Sequence, residues 1–184
     1  MQTEIDGSPP TLIPVRAELS GPGQDWLSTW PMLRTRGLSS EDSSFLFKLL
    51  HQLIPTQDRI NRITREVAVC KVCKAAPEDL AHAFFYCLPC KDTSALLLSY
   101  VSLLVPGITP KDILTLNFSS SVGESDILPT LILIATGLRY IWKSRVDKKT
   151  VCQYRMRTEV EAKISILRKT RHVLCADRLL EIVS

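Results

Sequence analysis

CKVCKAAPEDLAHAFFYC, residues 70–87, decides how this chain is read. Its spacing is Cys70-x2-Cys73-x8-His82-x4-Cys87. A Cys-x2-Cys pair turns the backbone so that both sulfurs face one point, and a histidine and a further thiol can complete a tetrahedron of soft and borderline donors. Pro77, Glu78 and Asp79 mark a helix start, which puts His82 in its first turns and Cys87 near its end. Five positions is not an α-helical repeat, so the last turn must tighten or unwind to bring Cys87 round. Zinc suits such a donor set, and four protein ligands leave no open position, which makes the zinc structural. Lys71 and Lys74 flank the thiols, where positive charge favours the thiolate. Two alternatives stand beside this. Cys90 completes a second Cys-x2-Cys with Cys87 and can replace His82 as a ligand. Alternatively, Cys73 and Cys87 are small buried apolar residues and His82 an ordinary surface residue. Phe84 and Phe85 fit either reading, as anchors of this segment to a core. Cys152 and Cys175 read as ordinary thiols.

Outward from this loop the pattern is helical. Upstream, Ser39-Ser40-Glu41-Asp42 starts a helix carrying Phe45, Leu46, Leu49, Leu50 and Leu53. Ile54-Pro55 ends it, and Thr56 caps a short second helix through Ile63. Downstream, helices are expected over 93–105 and 111–116, the latter capped by Thr109-Pro110. A loop spans 119–123. A long helix follows over 126–146 with Pro129 in its first turn, and a last helix over 150–171. Met156, Val160, Ile164, Leu167 and Leu174 share a face of that last helix. No strand pattern or internal repeat is visible. The fold class is therefore all-α, a helical bundle with an inserted CCHC zinc-knuckle loop. The expected organisation is a flexible arm over 1–24, a helical connector over 25–69, the knuckle over 70–90, and a helical region over 91–184 that is basic from 139. Trp26 and Trp30, four apart, read as caps of the core.

At 184 residues the chain can bury a core without disulfides. Its hydrophobic content of 45% and charged content of 23% are those of a globular protein. The first residues lack the apolar stretch of a secretory signal, and the longest apolar run is broken by Pro129 and Arg139. An intracellular chain, cytoplasmic or nuclear and not in a membrane, is expected. In a reducing compartment, close cysteines favour metal over disulfide. The net charge of +4 is uneven: residues 139–184 hold 12 basic and 5 acidic side chains. Arg139, Lys143, Arg145, Lys148, Lys149, Arg155, Arg157, Arg168, Lys169 and Arg171 are the candidate contacts to a polyanion. Tyr140 and Trp142 offer faces for stacking the bases of a single strand.

These segments together resemble the C-terminal end of non-LTR (LINE-type) retrotransposon reverse-transcriptase polyproteins. Leu53, Pro55, Thr56 and Arg59 match a leucine-rich helix ending in L-P-T-x-x-R. The Cys-x2-Cys…His-x4-Cys knuckle follows, and Ile141-Trp142-Lys143-Ser144-Arg145 matches a downstream hydrophobic-W-K-x-R helix. The resemblance spans roughly 26–170 and is specific over 45–90. It implies zinc on Cys70, Cys73, His82 and Cys87, in a module that helps a polymerase engage RNA or target DNA. The chain has no Tyr-x-Asp-Asp polymerase motif and no endonuclease acidic set. With its own Met1 it reads as a detached tail of such an element. The expected function is therefore non-catalytic binding of RNA or DNA. The alternative is a protein-interaction or self-association module, whose partner would be a reverse transcriptase, a host protein or a second copy.

Overall fold

The computed structural model describes residues 32–65, 67–118 and 122–184. The expected arm over 1–24, together with Trp26 and Trp30, lies outside them. From residue 40 onward, the α-helices among the described residues are, in order, α1 Ser40–Leu50, α2 Gln57–Thr64, α3 Lys91–Ser102, α4 Pro110–Thr115, α5 Glu124–Val146, α6 Gln153–Lys169 and α7 Val173–Val183. Between α2 and α3 lie a π-turn at His82–Tyr86 and a 3-10 turn at Leu88–Cys90. Among the described residues the β-structure is one isolated antiparallel bridge, Val69 with Pro77. The all-α reading therefore holds.

Local chemistry sets the helix starts. The Ser39 side chain accepts the Asp42 amide at α1, and Thr56 accepts the Arg59 amide at α2. At α4, Thr109 and Asp112 form a reciprocal capping box, with Pro110 pre-set for the first turn. α1 ends at Leu50, before Gln52 turns the chain at a φ of +51°. Leu53 therefore falls beyond the helix and is exposed, not part of its apolar face. α5 begins two residues earlier than expected, which places Pro129 in its second turn. The helix expected over 150–171 is α6, and a further helix that was not expected follows it. The backbone breaks at Arg171, φ +68°, and α7 begins at Val173. Leu174 accordingly leaves the α6 face and is 87% exposed.

α5 is the axis of the molecule. Leu131 through Leu138 are all buried along its middle. It packs on α1, α3, α6 and α7, and on the π-turn. Each Leu or Ile removed from water here contributes about 1.5–3 kcal/mol. One cluster of buried side chains runs from Met32 to Val183 and includes Cys70, Phe84, Cys87 and Cys90. Asp42, 1% exposed, ties three helices together: it sits on α1, meets Lys163 of α6 at 2.5 Å and Arg139 of α5 at 3.3 Å. The knuckle is therefore built into the side of the helical core.

Candidate metal centre

The loop before the π-turn is shaped by its own backbone. The Cys70 amide donates to Ala76 O at 2.9 Å, and the Lys74 amide to Cys70 O at 2.9 Å. Lys74 takes a left-handed conformation, φ +57°, which closes the Cys-x2-Cys turn. Glu78 N donates to Ala68 O, so the Val69–Pro77 bridge staples the two arms of the loop. Asp79 Oδ1 then accepts the His82 amide at 2.6 Å, making Asp79 the cap of the short helix.

From His82 the helix widens. The Cys87 amide donates to His82 O at 2.8 Å, an i→i−5 bond. That wider turn solves the five-residue spacing: the chain unwinds, and His82 and Cys87 come to one side. The Ser94 hydroxyl proton is shared between Phe84 O in the π-turn and, at 2.8 Å, Cys90 O one turn back at the start of α3. Phe84 and Phe85 are buried, and the Phe84 ring lies 6.3 Å from Phe45 and 6.0 Å from Trp142. Both anchor the turn, as the sequence suggested.

The structure brings Cys70, Cys73, His82 and Cys87 together, with one donor atom from each and all four within 4.8 Å of one another. Cys70 Sγ and Cys87 Sγ are 3.8 Å apart, and Cys73 Sγ is 3.2 Å from His82 Nε2. Tetrahedral bonds of about 2.3 Å to sulfur place two sulfurs about 3.8 Å apart. The set can hold a metal ion. Cys70 and Cys87 are fully buried, whereas Cys73 and His82 are half-buried and face the way in. Cys90 is buried and is not one of these four; its sulfur accepts a hydrogen bond from Arg145 Nη1 at 3.6 Å.

The surroundings treat the thiols differently. The Ala75 backbone amide holds the Cys73 pKa below its ordinary value. The cause is therefore an oriented peptide group, not the exposed lysines on either side. Burial pushes the Cys87 thiol up to about 12, against the pull of Arg145. Burial also raises Cys90. For Arg145, burial pulls downward, but hydrogen bonds to the thiols of Cys70, Cys87 and Cys90 and the charge of Glu78 outweigh it, and its pKa is raised. A proton on Cys87 must leave for a metal to bind, so metal uptake releases protons.

Arg145 requires a correction. It was expected at a polyanion surface, yet its side chain is 3% exposed. Its Nη2 donates to Glu78 Oε2 at 2.5 Å and to Cys70 Sγ at 3.3 Å. It belongs to the metal centre. Glu78, read as a first-turn acid, is its buried partner, and no local signal in the sequence linked residues 67 positions apart. The other candidate cations divide. Arg139 pairs with Glu41 and Asp42, Lys149 with Asp147, Arg157 with Glu161, and Arg168 with Asp177. Lys143, Lys148, Arg155, Lys169 and Arg171 have no ion-pair partner among the described residues. Lys169 lies at the far end of α6, about 21 Å along its axis from Arg155, and Arg171 lies just beyond it.

Beside the metal centre runs a groove of about 590 Å³. Val72 of the knuckle, Ile60 of α2 and Trp142, Val146 and Val151 around the α5–α6 turn form its apolar floor. Lys71, Lys148 and Lys149 edge it, and Arg145 and Glu78 stand in its wall. Lys143, Lys149 and Arg155 line an adjoining depression. Tyr140 is half-buried there, with its hydroxyl accepting the Cys152 amide at 3.0 Å. Among the described residues no helix is long and apolar enough to cross a membrane. No protein-family model matches the chain, nor does any curated protein or solved structure compared with it.

Proposed function

We propose that this chain is a non-catalytic module held by a structural zinc ion, of the kind that closes LINE-type reverse-transcriptase polyproteins. In this reading it binds single-stranded RNA or DNA in the groove beside the zinc. The groove carries the reading: one aromatic face, Trp142, lies among lysines 71, 148 and 149. A base stacks on such a face while phosphates meet the cations. The zinc assignment is supported by three thiols and an imidazole at tetrahedral spacing. Four protein donors leave no position for substrate, which supports a structural role. A protein partner has its own supporting observation, since most of the groove floor is aliphatic.

The test is a pair of measurements on the full chain. Elemental analysis is expected to give one zinc per chain, lost in His82→Ala and kept in Cys90→Ala. Binding of a fluorescent oligonucleotide is then followed from low to high salt. Nucleic-acid binding is expected to weaken steeply, with a shallower slope in Lys148→Ala/Lys149→Ala, because each phosphate contact releases counterions. No oligonucleotide binding by zinc-loaded protein would sink the nucleic-acid reading and leave the apolar protein interface.

A further inference from the structure

Arg145 stands where the metal centre, a buried carboxylate and the groove meet. Nη2 donates to Cys70 Sγ at 3.3 Å and to Glu78 Oε2 at 2.5 Å, and Nη1 donates to Cys90 Sγ at 3.6 Å. Glu78 Oε1 in turn accepts the Gln57 amide at the start of α2 at 3.3 Å. In the other direction, Arg145 O accepts the Lys148 amide at 3.2 Å, and the Lys149 amide donates to Ser144 O at 2.8 Å. The Arg145 side chain thus reaches the knuckle directly and the start of α2 through Glu78, while its backbone carbonyl holds the basic turn after α5. These are the walls of the groove.

Charge gives the joint a direction. Three thiolates around a divalent cation leave one net negative charge, and Glu78 adds a second. Arg145 returns the total to a single charge. The guanidinium lies between the Cys70 sulfur and the Glu78 carboxylate, so an ion that fixes the sulfur also fixes the guanidinium, and the guanidinium stabilises the loaded centre more than the empty one. Coupling of this kind is reciprocal: whatever Arg145 adds to metal affinity, the metal adds to the placement of Arg145.

We propose that Arg145 is a positioning residue that couples metal occupancy to the shape of the groove, by fixing the last turn of α5 and the lysines that follow it. This rests on the zinc reading above. It differs from a merely structural role, because an Arg145–Glu78 pair acting alone would hold the turn equally with and without metal.

The experiment uses the full chain and two readouts: zinc affinity by competition with a chromophoric chelator, and hydrogen exchange of the Lys148 and Lys149 amides with and without zinc. In wild type, zinc is expected to slow both amides. Arg145→Met is expected to weaken zinc by about tenfold or more, the scale at which residues supporting metal ligands act, and to abolish the zinc-dependent slowing. Arg145→Lys keeps the charge but loses the forked geometry, and is expected to fall between the two. A helical Arg145→Met chain with wild-type zinc affinity overturns the proposal, as does a variant in which zinc slows the amides as in wild type. If Arg145→Met fails to fold, Arg145→Lys decides, and wild-type behaviour in it overturns the coupling. Wild type that takes up no zinc defeats the zinc reading and this coupling with it. Wild type that binds zinc while its Arg145 variants behave alike defeats the coupling alone.

Discussion

Gly137 of α5 leaves room for Leu97 of α3. A Cβ built on the glycine would lie 2.6 and 2.8 Å from the two Leu97 methyl groups and 3.2 Å from Leu97 Cγ. Leu97 is fully buried, so it has nowhere to withdraw. Helix propensity favours alanine over glycine by about 1 kcal/mol, whereas overpacking a tight core costs about 1–3 kcal/mol. The clash wins. Gly137→Ala is expected to lower stability by about 1 kcal/mol in urea unfolding while zinc stoichiometry stays at wild type. At this scale the four metal donors were legible, because spacing is a one-dimensional property. Orientation is not. Arg145 sits in a run of cations, and nothing along the chain says that this one turns inward to Glu78 while Lys143 and Lys148 stay in water.

The π-turn is the element that joins two of the metal donors. Its i→i−5 bond makes five residues equal one turn between His82 and Cys87. Deleting Tyr86, which is 64% exposed and fills no core space, would restore four residues and an ordinary α-turn. Residues four apart on an α-helix share a face, so the Cys87 thiol would stay beside His82, whereas an alanine inserted after Tyr86 would turn the thiol by about 100° out of the donor cluster. The Tyr86 deletion is expected to keep zinc, measured by elemental analysis, and the insertion to lose it, both retaining helical circular dichroism. Tyr86→Ala is expected to keep zinc and helicity alike. Helix starts were readable where a hydroxyl or proline stands at a cap, at Ser39, Thr56 and Thr109-Pro110. The start of α7 was not: the break before it contains no glycine or proline, and Arg171 takes the positive φ itself. A departure from the α-helical turn before Cys87 was anticipated from spacing alone, though not whether it would tighten or unwind, and Ser94 of α3 meets Phe84 O in the turn that forms.

Across the whole molecule, the basic excess of residues 139–184 is less available than its count suggests. Arg145 is consumed by the metal centre, and Arg139 and Lys163 meet on Asp42. Of the five candidate cations without an ion-pair partner among the described residues, Lys143, Lys148 and Arg155 gather where α5 turns into α6, beside the knuckle, so the two features that composition and spacing flagged separately meet there. The all-α class and the placement of the metal loop followed from periodicity. That convergence is tertiary and had no counterpart along the chain.

The turns of this molecule also carry an enzymatic signature. Arg65, Lys74, Lys148 and Arg171 all take positive φ, all are exposed, and each stands at a joint: after α2, at the knuckle, between α5 and α6, and between α6 and α7. Trypsin cleaves after these residue types and prefers chain it can lift out of helices. Downstream of α1, brief digestion should therefore release fragments ending at these joints, well before the interiors of α5 and α6 are cut. Zinc should delay the cut at Lys74 most, since that residue closes the turn between two ligands and the rest of the site. A first cut inside α5 would contradict this layout. The protein is thus marked, at the seams of its own architecture, with the residues that would let a protease draw its map.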